Sequence, residues 1–172
     1  MNSRKQTRKP VWPLALLALA AVSLAGCGFT PLYATPGVSP GLAAIDVVAP
    51  QGRVGFLVRE DLDDALGHDK TATPSWRLDM AVTQTRDPRG LTITDVAERY
   101  VLGVRVKYAL TDLSTGKVAH SGEVASHVSY DAADAPYAGI AARQDSQERA
   151  ASDAARQIQL DLAAWMAARA KR

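Results

Sequence analysis

Cysteine is nearly absent from this 172-residue chain, which has a single one, and aromatic side chains make up only 6% of it. A lone cysteine cannot close an internal disulfide, and the common zinc motifs need at least two cysteines or a cluster of cysteine and histidine. Disulfide-stapled scaffolds and structural zinc sites are therefore excluded. The 47% hydrophobic and 22% charged content suits one core of ordinary domain size, and it excludes collagen and a chain disordered throughout.

A strong charge of either sign is also missing. The formal net charge is +2, but Arg4, Lys5, Arg8 and Lys9 stand before the first apolar run, where there is no acidic residue. Without those four residues, 16 basic side chains face 18 acidic ones, so the net charge becomes −2. Binding to nucleic acid requires a basic footprint, and we therefore expect no nucleic-acid partner.

Motifs for catalysis are not found in the sequence. Of the three histidines, His120 and His127 are an odd number of residues apart, so one strand points them to opposite faces of a sheet. There is no nucleophile elbow, no phosphate-binding glycine loop, and no serine or cysteine with an evident base partner. We expect no enzyme, no metal site and no cofactor. The open alternative is an active site assembled from residues far apart in the sequence.

The N-terminus carries the most informative pattern that is present. Val11 to Ala25 form an apolar run of 15 residues, broken only by Pro13 and Ser23. A membrane-spanning helix takes about 20 residues, whereas this length fits the apolar region of a secretory signal. Leu24-Ala25-Gly26-Cys27 then matches a lipobox, in which small residues fit the signal peptidase and the thiol accepts a diacylglyceryl group. The alternatives are a membrane anchor through this helix and an inert buried thiol, the usual fate of a free cysteine.

These features predict three parts of the chain. Residues 1–26 are predicted to be a lipoprotein signal peptide, and residues 27–42 a lipidated Cys27 with a flexible tether that has no charge and three prolines. Residues 43–172 are predicted to form a single α+β domain. The acyl chains would hold the protein on a membrane face outside the cytoplasm. In bacterial lipoproteins an aspartate after the cysteine tends to retain the protein at the inner membrane, so Gly28 favours the periplasmic side of the outer membrane.

Hydrophobic periodicity predicts a β-α-β-β-β-α order, with two helices packed on one face of a four-stranded sheet. Two turns are predicted at Arg86–Gly90 and Ser114–Gly116. On the third long strand, Val118 is expected to share the buried face with Val124 and Val128. The predicted elements are strand 43–49, helix 54–66, strands 76–82, 100–112 and 118–130, and a helix from about residue 140 to the end.

The stretch from Leu24 to Tyr33, Leu-Ala-Gly-Cys-Gly-Phe-Thr-Pro-Leu-Tyr, resembles the opening of the LPS-assembly lipoprotein family, LptE. The order of the later elements is also similar to that family, including Ala97-Glu98-Arg99-Tyr100 before an alternating strand and the late alanine-rich helix. The sequence departs from some members in lacking a long polar tail and in having Gln144-Asp145 where others carry a longer acidic or amide run.

This resemblance implies a function and partners. Members of the family plug the lumen of LptD, the outer-membrane LPS-assembly β-barrel, and bind lipopolysaccharide through basic residues during its delivery to the outer leaflet. Arg143 resembles the family's basic residue by its placement after the third long strand. Arg105 and Lys107, on the predicted uncovered face of the sheet, are further candidates for the lipid A phosphates. The alternative is an auxiliary lipoprotein of an ABC-type lipid transport system.

Replacement of Cys27 by serine tests the lipobox. We expect Cys27→Ser to accumulate as an unlipidated precursor that keeps residues 1–26, because the hydroxyl does not replace the thiol in the acyl transfer. Intact-mass measurement of the membrane fraction reports both cleavage and acylation. Normal processing of the variant would contradict the lipoprotein interpretation.

Overall fold

A computed structural model describes residues 36–69, 71–91, 97–132 and 135–170 of the chain. The predicted signal peptide, Cys27 and most of the predicted tether lie outside the described residues. Seven elements follow one another in the described part. They are helix α1 (Val38–Ala43), strand β1 (Ile45–Val47), helix α2 (Arg53–Leu66), strands β2 (Trp76–Leu91), β3 (Ala97–Asp112) and β4 (Lys117–Asp131), and helix α3 (Pro136–Ala170).

The four strands form one mixed sheet in the order β1-β2-β3-β4. The short β1 pairs in parallel with the start of β2, through the α2 crossover, while β2, β3 and β4 form a long antiparallel meander. The predicted α+β class is confirmed, as are the four strands and the two long helices on one face of the sheet. The three long strands are each longer than their sequence patterns indicate.

Alternation along the strands separates a covered face from an open one. On β3, the residues from Leu102 to Leu110 with even numbers are buried, whereas Arg105 and Lys107 between them are exposed. The covered face lies under α2 and α3, which contribute Val58, Leu62, Ile158 and Leu162 as fully buried side chains. Helix α3 also buries six alanines that let it lie close to its neighbours: Ala150, Ala151, Ala154, Ala155, Ala163 and Ala167.

The domain begins earlier than residue 43. Helix α1 occupies the end of the predicted tether, and Val38 and Leu42 are buried in the common core. Pro40 does not prevent this helix because it lies in the first turn, where a backbone N–H has no partner within the helix. Because this segment has three prolines and no charge, the sequence pattern did not identify Val38 and Leu42 as core residues.

The predicted turn at Arg86–Gly90 is wrong, because β2 continues through it to Leu91. Pro88 pairs in register with Tyr100 of β3. The Leu78 carbonyl accepts a hydrogen bond from Val48 N at 3.0 Å, so residues of β2 with the parity of Leu78 direct their backbone groups away from β3. Pro88 has that parity, and no described strand pairs with β2 beyond Leu78. The missing N–H of Pro88 therefore falls on a free edge, the place where sheets accept proline.

The expected burial of Val118 is also wrong. A register irregularity at Leu110 and Thr111 leaves Val118 paired with Thr111, whose side chain is on the open face, while His120 pairs with Leu110. Val118 is consequently 61% exposed, whereas Val124 and Val128 pack against the core as expected. A single extra residue in a strand turns the side chains that follow it on one side to the opposite face of the sheet.

Ile158 tests the packing of α3 on the sheet. We expect Ile158→Ala to lower the free energy of unfolding by about 2–5 kcal/mol, because it leaves a cavity at a fully buried position. The control is Leu160→Ala two residues along the same helix, which should change it by roughly 0.5 kcal/mol, because Leu160 is 47% exposed. Urea unfolding followed by circular dichroism measures both. Equal effects would show that α3 packs through a different face.

Candidate functional site

Arg105 and Lys107, two of the sequence-predicted site residues, lie on the open face of the sheet as expected. Both neighbour Glu123 on β4: Arg105 Nη1 lies 2.7 Å from Glu123 Oε1, and Lys107 Nζ lies 3.8 Å from Glu123 Oε2. All three side chains are at least 40% exposed. Water screens such surface pairs, so the pairing orients the cations more than it stabilises the fold. The open face thus presents two cations that share one carboxylate.

The centre of the open face is flat because its side chains are small. Gly103 lies between Thr85 and His127, and a Cβ atom there would come within 2.6 Å of Thr85 Oγ1. The result is a shallow depression of about 60 Å³ beside Arg105 and Ala125. His127 is on this face and His120 on the covered face, as their spacing predicts.

Arg143, the third predicted site residue, lies on α3 and is exposed. Its carbonyl oxygen accepts a hydrogen bond from Ser146 Oγ at 2.7 Å. Within the described ranges, no carboxylate lies within salt-bridge distance of its guanidinium. Because α3 covers the opposite face of the sheet from Arg105 and Lys107, the structure does not bring the three predicted residues into one site.

A cluster of one arginine and two tyrosines lies at the end of the sheet where β3 begins and β4 ends. It was not predicted from the sequence. The Arg86 guanidinium lies 3.6 Å from the centre of the Tyr100 ring, which stacks on Tyr130 at 5.6 Å. The Tyr130 hydroxyl is buried without a hydrogen-bond partner in the described part of the chain. Arg86 was assigned to a turn by the sequence pattern, so its place over two rings on neighbouring strands could not be predicted.

A polar network links α3 to the middle of the covered face. His120 Nε2 lies 2.5 Å from Asp161 Oδ2, and the Tyr108 hydroxyl donates to the same oxygen. Burial raises the pKa of Asp161, but the hydrogen bonds from Tyr108 and His120 outweigh it, so the pKa lies below its ordinary value. Burial and the Asp161 carboxylate raise the pKa of Tyr108. Gly122 makes room for the Tyr108 ring, because a Cβ atom there would overlap its outer atoms.

The aromatic end of the network opens into a groove. The His120 ring stacks on Trp165 at 5.4 Å, Trp76 meets Trp165 edge-on at 5.5 Å, and the Arg169 guanidinium lies 5.1 Å from the Trp76 ring centre. The cavity has a volume of about 310 Å³. We call it the tryptophan groove, and its lining residues are Gly37, Gly41, Trp76, Trp165, Met166, Arg169 and Ala170.

Two negative findings apply to the described residues. No group of three or more histidine, cysteine, aspartate or glutamate side chains there is arranged to hold a metal ion. No helix in that part of the chain has the length and apolar character needed to cross a membrane.

Comparison with known proteins identifies a family. The model of the LptE family, described as lipopolysaccharide-assembly, matches residues 42–162, which is more than half of the chain. Among solved structures, a protein of Caulobacter crescentus that has been assigned as a lipoprotein is 47% identical to this chain. The alignment covers 77% of this chain and 97% of that protein, with a TM-score of 0.68.

More distant solved structures share the fold. Rare lipoprotein B of Shewanella oneidensis is 17% identical, with coverage of 71% of this chain and 93% of its own and a TM-score of 0.55. Lipoprotein B of Nitrosomonas europaea is 18% identical, with coverage of 72% and 84% and a TM-score of 0.56. A search of curated proteins found no match.

Asp161 gives the network a testable pH dependence. Its folded pKa is below the unfolded value of about 3.9, so it stabilises the fold above that pH and loses this effect as the pH falls through the folded pKa. We expect Asp161→Asn to lower the free energy of unfolding at neutral pH. The difference from the wild type should narrow as the pH falls below about 4. Urea unfolding across this range measures it, and a difference independent of pH would contradict the assignment.

Proposed function

Because the chain belongs to the LptE family of lipopolysaccharide-assembly lipoproteins, we propose that it plugs and helps assemble the LptD β-barrel and binds lipopolysaccharide during its delivery to the outer leaflet. The observation that carries the proposal is the family match over residues 42–162. It agrees with the resemblance of the segment from Leu24 to Tyr33, so the family predicted from the sequence is confirmed. The proposed place of action is the periplasmic side of the outer membrane, with Cys27 as the lipid anchor and residues 1–26 removed.

The open face of the sheet supports the role of a plug. Along the centre of β2, β3 and β4 its side chains are short or polar, and the charged ones are largely neutralised by neighbours, as Glu123 does for Arg105. Such a face can lie against a hydrophilic wall without burying unpaired charge. The residues that supply it are Ala81, Thr83, Thr85, Gly103, Arg105, Lys107, Glu123, Ala125 and His127.

The arrangement of cations supports contact with lipopolysaccharide at two separate places. Arg143 has no described carboxylate partner, so its guanidinium is available for a charge-assisted bidentate contact with a phosphate group. Arg105 and Lys107 share Glu123, and a phosphate near them competes with that carboxylate. We therefore assign the larger share of phosphate binding to Arg143. The proposed role is binding and assembly and requires no catalysis.

Isolation of the partner tests the plug. An affinity pull-down with the full chain from detergent-solubilised envelopes should retain a very large β-barrel. Ala125→Arg, in the centre of the open face, should reduce that retention. The matched control Ser152→Arg, which also replaces a small side chain by arginine but on the exposed surface of α3, should reduce it less. Retention of inner-membrane transporter subunits instead would support the alternative of an ABC-type transport system.

Charge reversal at Arg143 tests lipopolysaccharide binding. We expect Arg143→Glu to weaken capture of lipopolysaccharide strongly and Arg143→Lys to weaken it less, since lysine keeps the charge but loses the bidentate geometry. The matched control is Arg156→Glu on the same helix, because Arg156 is already bound to Asp153 at 2.6 Å. Raised salt should weaken capture by the wild type.

A quantitative pull-down with lipopolysaccharide beads measures these variants. Circular dichroism establishes that each remains folded. Undiminished capture by the folded triple variant with glutamate at positions 105, 107 and 143 would place the binding site elsewhere on the molecule.

A further inference from the structure

The tryptophan groove lies at one end of the domain, where several apolar side chains are exposed together. Trp76 lines both this groove and an adjoining depression of about 480 Å³ that reaches Leu113. Leu113 is 47% exposed and Val118, across the β3–β4 turn, is 61% exposed. The turn is fixed to the start of β2 by the hydrogen bond from Leu113 N to Ser75 O at 3.1 Å. The groove and the turn therefore form one continuous end, which we call the tryptophan end.

The charges at the tryptophan end are mainly positive. Arg169 lies over both indole rings, and Lys117 is exposed at the start of β4. The Asp112 carboxylate there is occupied by Ser114, whose N and Oγ lie 2.9 Å and 2.6 Å from Asp112 Oδ1. Tryptophan rings flanked by cations are typical of surfaces at the level of lipid headgroups, where the ring is half in apolar surroundings and the cation meets phosphate.

The path of the chain places the same end near the proposed lipid anchor. The chain enters the described domain at residues 36 and 37, and Gly37 lines the groove. Gly37 is ten positions after Cys27, a distance of at most about 35 Å when the chain is fully extended. Helix α3 has 35 residues, which makes it about 52 Å long. It carries Trp165 and Arg169 near its C-terminal end. If the N-terminal end of α3 contacted the bilayer, the groove would lie farther from the bilayer than the segment from Cys27 to Gly37 can span. The N-terminal end of α3 therefore cannot contact the bilayer while Cys27 is anchored in it.

We propose that the tryptophan end docks on the phospholipid bilayer surface, with Trp76 and Trp165 at the depth of the headgroups and Arg169 against lipid phosphates. The inference rests on the lipid anchor of the proposed function. It adds an orientation, with the Arg86 and Arg143 end of the domain directed away from the lipid surface. Only the indole rings, Arg169 and the turn enter the headgroup region.

Quenching of tryptophan fluorescence by brominated lipid tests this orientation. The lipidated chain that begins at Cys27 has Trp76 and Trp165 of the groove as its only tryptophans, because Trp12 lies in the removed residues 1–26. This chain is reconstituted on vesicles of phosphatidylethanolamine and phosphatidylglycerol, with or without bromine on the acyl chains near the headgroup. We expect severalfold lower emission with the brominated lipid. Leu113→Glu together with Val118→Glu should restore most of the emission while the circular dichroism spectrum stays unchanged.

A matched reporter at the other end of the helical layer is the control. Phe56, in the first turn of α2, is 55% exposed, and Arg53 of the same turn bonds Glu148 at 2.9 Å, which is 17 residues before Trp165 on α3. That separation amounts to about 25 Å along the helix. A lipidated chain with Phe56→Trp as its sole tryptophan, after replacement of Trp76 and Trp165 by phenylalanine, should show no quenching by brominated lipid.

The outcomes separate this inference from the proposed function. If the chain processed at Cys27 does not float with the vesicles, the lipid anchor fails, and the orientation fails with it. If it floats and the groove tryptophans are not quenched, or if Trp at position 56 is quenched equally, the docking of the tryptophan end is wrong while the lipoprotein assignment stands.

Discussion

The contact between α3 and the antiparallel sheet is the constraint on which the rest of the domain depends. The covered face of β2, β3 and β4 carries a row of apolar side chains that needs a cover as long as the strands, and a helix of 35 residues provides it. Ile158 and Leu162 fill the interface, and alanines bring the helix close. Gln157 Nε2 also reaches the Ala125 carbonyl of β4 at 3.5 Å, so the helix leans over the outer strand as well. α2 and α1 then complete the layer beside it.

The length of this contact gives the molecule two chemically different ends. One end has two tryptophans, a methionine and an arginine around a groove, next to the entry of the chain. The other has Gln147 hydrogen-bonded to Gln84 at 3.3 Å, Arg86 stacked on tyrosine, and Arg143 exposed. Our two proposals use these surfaces differently. The first end is proposed to contact lipid, the second to bind an anionic ligand, and the open face of the sheet to lie against the barrel wall.

Periodicity in the sequence correctly predicted the features that depend on residues close together along the chain, namely the faces on which side chains lie. Strict alternation placed Arg105 and Lys107 on the open face, and spacings of three and four placed Val58 and Leu62 in the core, because local geometry decides these facings. Proline at a free edge and an irregular register are instead properties of strand pairing, so the predictions for residues 88 and 118 were wrong. The Asp161 network joins residues more than 40 positions apart, which no local pattern records.

The free edge of β2 affects whether the sheets of two copies of the molecule can pair edge to edge. Beyond Leu78 the outward N–H groups of this strand have no partner strand among the described residues, and such a row of donors lets sheets grow by adding another chain. Pro88 removes one donor from that row, and the charged side chains of Asp87 and Arg89 on either side of it are exposed. Pro88 and its charged neighbours therefore oppose edge-to-edge pairing of two copies along this part of β2, at the cost of one backbone hydrogen bond that the described strands do not use.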